Sequence, residues 1–211
     1  MAVSVVAIAR LVGAAGEDVA HEVASELGYR YIDYQVVQTA AQKAGVSPET
    51  VSEAEHVPSL LTRVLEALAK NPSMPVAAWA DPVPLATSPL LTSTEYRKFV
   101  ESVVRDLGTQ GKVVIVGHGS AVILRGSPNA VRVLVTGSES VRASRVMKHM
   151  DVDNETALKA VKQSDHDRVD FFHRFYDAEW TSPEAYDLCI NTDNISVDQA
   201  VKLITATASA G

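Results

Sequence analysis

A chain of 211 residues, 46% hydrophobic and 21% charged, is long enough for one domain with a substantial core. A net charge of −7 with scattered basic residues argues against a nucleic-acid partner, and the opening MAVSVVAIAR lacks a basic leader region and is too short to span a membrane. The single cysteine, Cys189, excludes an intrachain disulfide and points to a reducing compartment, the cytoplasm by default; within the apolar run LCIN it is expected to be a buried core thiol.

Val3 to Ala9 is a continuous run of β-branched and small apolar residues, the pattern of a strand covered on both faces. It ends at the turn Val12-Gly13-Ala14-Ala15-Gly16. A helix is expected from about Glu17 to Leu27, with Val19, Ala20, Val23, Ala24 and Leu27 on one stripe and Gly28 as its C-terminal cap. A short strand over Tyr29 to Asp33 and a helix over Tyr34 to Ala44 follow, then shorter helices over Ser47 to Ala54 and Leu60 to Ala69. Six of the nine prolines fall between positions 58 and 89, which marks 46–92 as a helical, Pro-rich insertion, irregular over 71–92. Excursions of this kind tend to be functional lobes or interfaces. Trp79, Leu85, Leu90 and Leu91 lie within it and need covering, so a homodimer is one expectation.

Regular structure resumes with a helix over Thr94 to Leu107, a strand over Lys112 to Gly117, a helical turn over Ser120 to Leu124 and a strand over Ala130 to Val135. The helix Glu139 to Met150 comes next, then Glu155 to Tyr176 as a helix with a break near Ser164. Tyr186 to Asn191 is the last strand and Val197 to Ala206 the last helix, with the tail TATASAG frayed. Short apolar strands alternating with helices predict an α/β fold of three layers, with a five-stranded parallel sheet between helices. Ligands of such sheets bind at the carboxyl ends of the strands, so the loops after Ala9, Asp33, Gly117 and Val135 should surround one crevice.

The first of these loops approximates a P-loop, G-x-x-x-x-G-K-[ST], in which backbone N–H groups and a helix N-terminus face a phosphate and a lysine reaches the outer phosphates. Aligning its last glycine with Gly16 places Leu11 at the first glycine, Glu17 at the lysine and Asp18 at the hydroxyl residue. Gly13 and Gly16 keep the turn, while Glu17 reverses the charge. Asp18 is the candidate magnesium ligand, and Arg10 is the nearest replacement cation. A plain strand-turn-helix with acidic residues in its first turn accounts for the same loop.

The stretches IARLVGAAGEDVAHEVASELGYRYID, GKVVIVGHGSAVILRGSPNAVRVLV and DRVDFFHRFYDAEWTSPEAYDLCINTDNISVDQAVKLI resemble the bacterial cytidylate kinase-like family. The resemblance runs over most of the chain and is poorest in the Pro-rich middle. It implies a single P-loop kinase-like domain over 1–211, a mobile monophosphate-binding lobe, assigned to 46–92, and an arginine-bearing lid, assigned to 163–183. It also implies ATP and Mg²⁺ as cofactors and phosphoryl transfer from ATP to a nucleoside monophosphate or a related acceptor.

Three positions that are cationic in the family pattern are Glu17, Tyr34 and His118 here. The resemblance places Arg10, Gly13, Ala14, Ala15, Gly16, Glu17 and Asp18 around the nucleotide phosphates, and Asp33, His118 and Arg142 toward the acceptor. The lid segment D-x-x-R-x-x-x-x-x-R is kept by Asp165, Arg168 and Arg174 as the catalytic set. Arg142 and Arg145, one turn apart after the fourth strand, could flank a nucleotide base or phosphate. Each has a plainer reading: a surface ion-paired helix for the lid residues, and a solvated helix face for Arg142 and Arg145. Phe171, Phe172, Phe175 and Tyr176 are expected to pack that helix. Two functions therefore stand open, a cytidylate kinase-like phosphotransferase and a catalytically inactive kinase-fold protein that binds a ligand or a protein partner.

Overall fold

The computed structural model describes residues 3–33 and 94–210, the latter with side chains from residue 98 onward. The helices and the Pro-rich lobe expected over 34–92 lie outside these residues, as does Tyr34. The described chain contains five strands, β1 (Val5–Arg10), β2 (Arg30–Ile32), β3 (Val113–Val116), β4 (Ala130–Thr136) and β5 (Leu188–Asn191). Its helices are α1 (Gly16–Leu27), α2 (Thr94–Gln110), α3 (Ser120–Ile123), α4 (Glu139–Met150), α5 (Asn154–Tyr176) and α6 (Val197–Ser209). Among the described residues no helix is long and apolar enough to cross a membrane.

All strand pairs are parallel, in the order β2-β3-β1-β4-β5. The central position of β1 explains its sequence: Val5, Val6, Ala7 and Ile8 are each 0% exposed, so both faces must be apolar. β3, whose four residues are all buried, has the same reason for its VVIV. The chain leaves β1 toward β2 on one side and β3 toward β4 on the other. Right-handed crossovers therefore put α1 on one face and α3 and α4 on the opposite face. α6 returns to pack on α1, while α4 packs on α5 and α2 on α3. Because the loops leaving the adjacent strands β1 and β3 part to opposite faces, a crevice opens at their carboxyl ends.

The helix starts differ in a way that matters for that crevice. Ser138, Asp153 and Ser196 cap α4, α5 and α6 with their side chains, the last in a reciprocal capping box with Gln199. α1 and α3 begin at Ala15 and Gly119, both left-handed and without a side-chain cap. Both of these uncapped starts face the crevice.

Three expectations are corrected. α5 runs unbroken through Ser164 for 23 residues, because Asp153 caps its start and Ala157 and Val161 bury one stripe against α4. α6 continues to Ser209, held by buried Ile204, Thr205 and Ala208 and by the Thr205 hydroxyl donating to Glu26 at 3.0 Å. Cys189 is exposed: β5 is an edge strand, and of its four residues only Ile190 is buried.

Candidate functional site

The loop between β1 and α1 is shaped by two glycines at which any side chain would collide. A Cβ on Gly13, where φ is +76°, would lie 2.5 Å from the carbonyl oxygen of Arg142. One on Gly16 would lie 2.4 Å from Cβ of Arg10. Separations this short require something to move, and at Gly13 the obstacle is backbone. Leu11 N–H bonds Val135 O and Ala14 N–H bonds Leu11 O, closing the turn, and Ala15 (φ 59°) enters α1 in the left-handed region. The first amides of α1 have no intrahelical acceptor, so the loop opens onto a helix N-terminus.

Three successive carbonyls of this loop are held from behind. Nη1 of Arg142 donates to Val12 O at 3.2 Å, and Nη1 of Arg145 donates to Gly13 O, also at 3.2 Å. The buried hydroxyl of Thr192 lies 3.0 Å from Ala14 O. Arg145 in turn donates to Oγ1 and to the carbonyl of Thr192, at 2.9 and 2.6 Å. Arg142 and Arg145 sit one turn apart on α4, and Thr192 follows β5 at the carboxyl edge of the sheet.

At the mouth of the loop, Nε of Arg10 donates to Oε1 of Glu17 at 2.7 Å. Burial works against both charges, but the attraction outweighs it: Glu17 is held below the ordinary carboxylate range, and the field of Arg168 adds to the effect. The Arg10 guanidinium also lies against Gly117, whose Cβ would come 3.1 Å from Nη1. Arg10 thus spans the space between the loops after β1 and β3, already matched to a carboxylate.

α5 brings Asp165 and Arg168, two of the three residues expected in a lid, to the same place. Asp165 accepts both Nη1 and Nη2 of Arg142, at 3.1 and 2.6 Å, and Nε of Arg142 bonds Gly137 O at 2.9 Å. Arg142 is 2% exposed, so the expected solvated face is instead a buried guanidinium directed at protein acceptors. Arg168, one turn beyond Asp165, bonds Ser164 Oγ at 3.1 Å and stacks 5.8 Å from the Trp180 ring. Among the described residues it forms no ion pair. Burial, and then the nearby charge of Arg10, push it down to about 10. Arg174 is exposed and lies over Phe175. Phe172 stacks on buried Trp180 with ring centroids 5.4 Å apart, and the Tyr176 hydroxyl is 3.2 Å from where a Cβ on Gly119 would stand. The end of α5 and the segment after it therefore cover the β3–α3 turn, and the aromatic residues do pack this helix.

His118, at φ 55° in that turn, interacts with the backbone of Asp33 at the end of β2. Burial pushes its imidazole below the usual histidine value, so the neutral form dominates at pH 7. Asp18 is exposed in the first turn of α1; burial of the carboxyl and the adjacent Glu17 raise its pKa. Among the described residues, no three His, Cys, Asp or Glu side chains cluster as a metal site.

The crevice therefore gathers Arg10, Glu17, Arg168, Asp33 and His118, with Asp18 exposed beside Glu17 on α1, Arg142 and Asp165 behind them and Arg174 outside. Thr192 is the residue that sequence reasoning did not assign; its position just past the last strand, at the carboxyl edge, was the only signal for it. Arg145 was weighed with Arg142 as flanking a base or phosphate, and it instead holds the carbonyl of Gly13.

A five-stranded parallel sheet in this order, with a glycine-bearing loop from its central strand into an uncapped helix, is the P-loop kinase fold. Two solved structures agree. An uncharacterized protein from Eubacterium ventriosum superposes with a TM-score of 0.61 at 21% identity, covering 98% of this chain and 99% of that one. A shikimate kinase from Bacteroides thetaiotaomicron superposes with a TM-score of 0.51 at 10% identity, covering 96% of each. The model of the cytidylate kinase-like family matches residues 5–194, and the chain belongs to that family. A cytidylate kinase from Pyrobaculum calidifontis is 28% identical over 112 residues, 53% of this chain and 60% of that protein. One from Sulfurisphaera tokodaii is 24% identical over 110 residues, 52% of this chain and 61% of its own. The chain thus matches about three fifths of the length of these curated relatives.

Proposed function

We propose that this protein binds a nucleotide or a related phosphorylated ligand through the loop amides and Arg168, and that transfer of a phosphoryl group from ATP is lost or greatly slowed. The observation that carries this reading is the 2.7 Å pair between Arg10 and Glu17. A free lysine at position 17 would supply about 4 kcal/mol per phosphate charge at ~4 Å and an effective dielectric near 20. The internally neutralised pair supplies close to nothing. The amides of Ala15 and Gly16 still offer a helix N-terminus to an anion, that of Glu17 being taken by its own carboxylate, and Arg168 is a cation with no ion-pair partner among the described residues. When bound, ATP would bring the transferable γ-phosphoryl group, and Mg²⁺ would arrive with its phosphates, for which Asp18 is the carboxylate within the first turn. Asp33 and His118 line the acceptor side, where neutral His118 can accept or donate a hydrogen bond without adding charge.

A second reading is active phosphotransfer. It is favoured by the position of Arg10 against Gly117, from which its guanidinium can exchange Glu17 for a phosphate. A thermal-shift panel of nucleoside mono- and triphosphates with and without Mg²⁺, run beside a coupled assay for ADP release, separates the two. Stabilisation by nucleotide without ADP release supports binding alone. Turnover with a nucleoside monophosphate supports transfer, and no stabilisation by any nucleotide removes both.

A further inference from the structure

We propose that Arg145 and Thr192, together with Arg142, are positioning residues of the phosphate loop, which aim its amides by holding its carbonyls. A trans peptide is planar, so the C=O of one residue and the N–H of the next point in opposite directions. The carbonyls of Val12, Gly13 and Ala14 are engaged from the α4 and β5 side by Arg142, Arg145 and Thr192. The N–H groups of Gly13, Ala14 and Ala15 therefore face the other way. Ala14 N–H closes the turn on Leu11 O, which leaves those of Gly13 and Ala15 directed to the inside of the loop, toward the start of α1.

The arrangement is cross-linked rather than a set of separate contacts. Arg145 bonds Gly13 O and both oxygens of Thr192, whose single hydroxyl proton is shared between Ala14 O at 3.0 Å and Thr136 O, at the end of β4, at 3.1 Å. The loop is thus referenced to two strand ends and one helix. Arg142 extends the frame to α5 through Asp165, which fixes the turn that carries Arg168 relative to the same loop. Gly13 belongs to this frame too, because only a residue without Cβ lets the backbone of α4 come so close. None of the three braces needs to touch a ligand; each acts through the direction of a peptide group.

This inference rests on reading the loop as an anion cradle, and its test keeps the two apart. Thr192→Val and Thr192→Ser are compared with Thr205→Val, which removes a buried hydroxyl contact on α6 far from the loop. Amide ¹H–¹⁵N shifts of Gly13, Ala15 and Gly16 are measured together with affinity for inorganic tripolyphosphate. The expected result is displaced loop resonances and about a ten-fold or larger loss of affinity in Thr192→Val, with Thr192→Ser and Thr205→Val close to the parent. Arg145→Lys keeps the charge but not the forked contact; it is expected to behave as Thr192→Val does, and it serves if that variant does not fold. Loop amide shifts unchanged in both Thr192→Val and Arg145→Lys would overturn the brace. A parent protein that binds no tripolyphosphate removes the cradle reading, while the amide shifts still decide the brace.

Discussion

Arg10, the last residue of β1, and Glu17, the second residue of α1, face each other across the β1–α1 loop with Nε and Oε1 2.7 Å apart. In the proposed reading, the contact joins the replacement cation to the residue aligned with the P-loop lysine. An anion entering the loop must compete with Glu17 for Arg10. The loop retains its shape and its amides but starts with its nearest side-chain charge already used.

Removing the carboxylate should release that charge. Glu17→Gln is expected to raise tripolyphosphate affinity about ten-fold, since a 1.4 kcal/mol gain is enough. Ligand-free stability should fall, because Arg10 loses its partner. Glu17 is held below the usual carboxylate range, so its contribution is present above the unfolded-state value and fades as pH drops through the folded one. The stability gap between the parent and Glu17→Gln, followed by chemical denaturation, should therefore close in acid and stay constant between neutral and mildly alkaline pH.

Arg168 has the opposite linkage. Its folded value of about 10 lies below the ordinary arginine value, so the native state sheds its proton first and stability contributed by this group rises with pH above about 10. At neutral pH the half-buried charge is carried at a cost. Arg168→Met is expected to change ligand-free stability by no more than about 1 kcal/mol while weakening tripolyphosphate binding several-fold. A large loss of stability with unchanged binding would assign Arg168 to packing on Trp180 instead.

Asp165→Asn should be far more damaging to the fold. Arg142 is almost fully buried and would lose the counter-charge that grips both its Nη atoms. Stranding a buried charge costs about 3–5 kcal/mol, reduced here to about 2–3 because the Asp165 side chain is 28% exposed and water can partly replace it. Denaturant midpoints with an unchanged m-value would check this.

Two glycine substitutions separate strain from collision. Gly28 caps α1 at φ +64° with nothing within 4 Å of its missing Cβ, so Gly28→Ala should cost only the left-handed strain, about 1 kcal/mol. Gly13→Ala adds a 2.5 Å approach to the Arg142 carbonyl and should cost about 3 kcal/mol or more, together with the loop's ligand affinity.

Much of the fold was legible because both periodicities were strong. The continuous apolar runs of β1 and β3 announced central parallel strands, and Gly13 and Gly16 marked the loop between β1 and α1. Arg142 was not legible: a charged residue at helical spacing looks solvated unless the partner that buries it, Asp165, can be seen on another helix. Cys189 failed for the complementary reason, since LCIN looks like a core strand and only the strand order reveals it as an edge. Glu17 could be read from the sequence as an acidic residue in the first turn of α1, but its pairing with Arg10 seven residues away depends on how tightly the loop turns back on itself.

The central claim is that the Arg10–Glu17 pair, not a damaged loop, limits phosphate binding. The most direct measurement is a calorimetric titration of tripolyphosphate into the parent protein and Glu17→Lys at neutral pH and fixed salt. The parent should bind weakly but measurably, and Glu17→Lys at least about ten-fold more tightly. Equal affinity in the two proteins would contradict it.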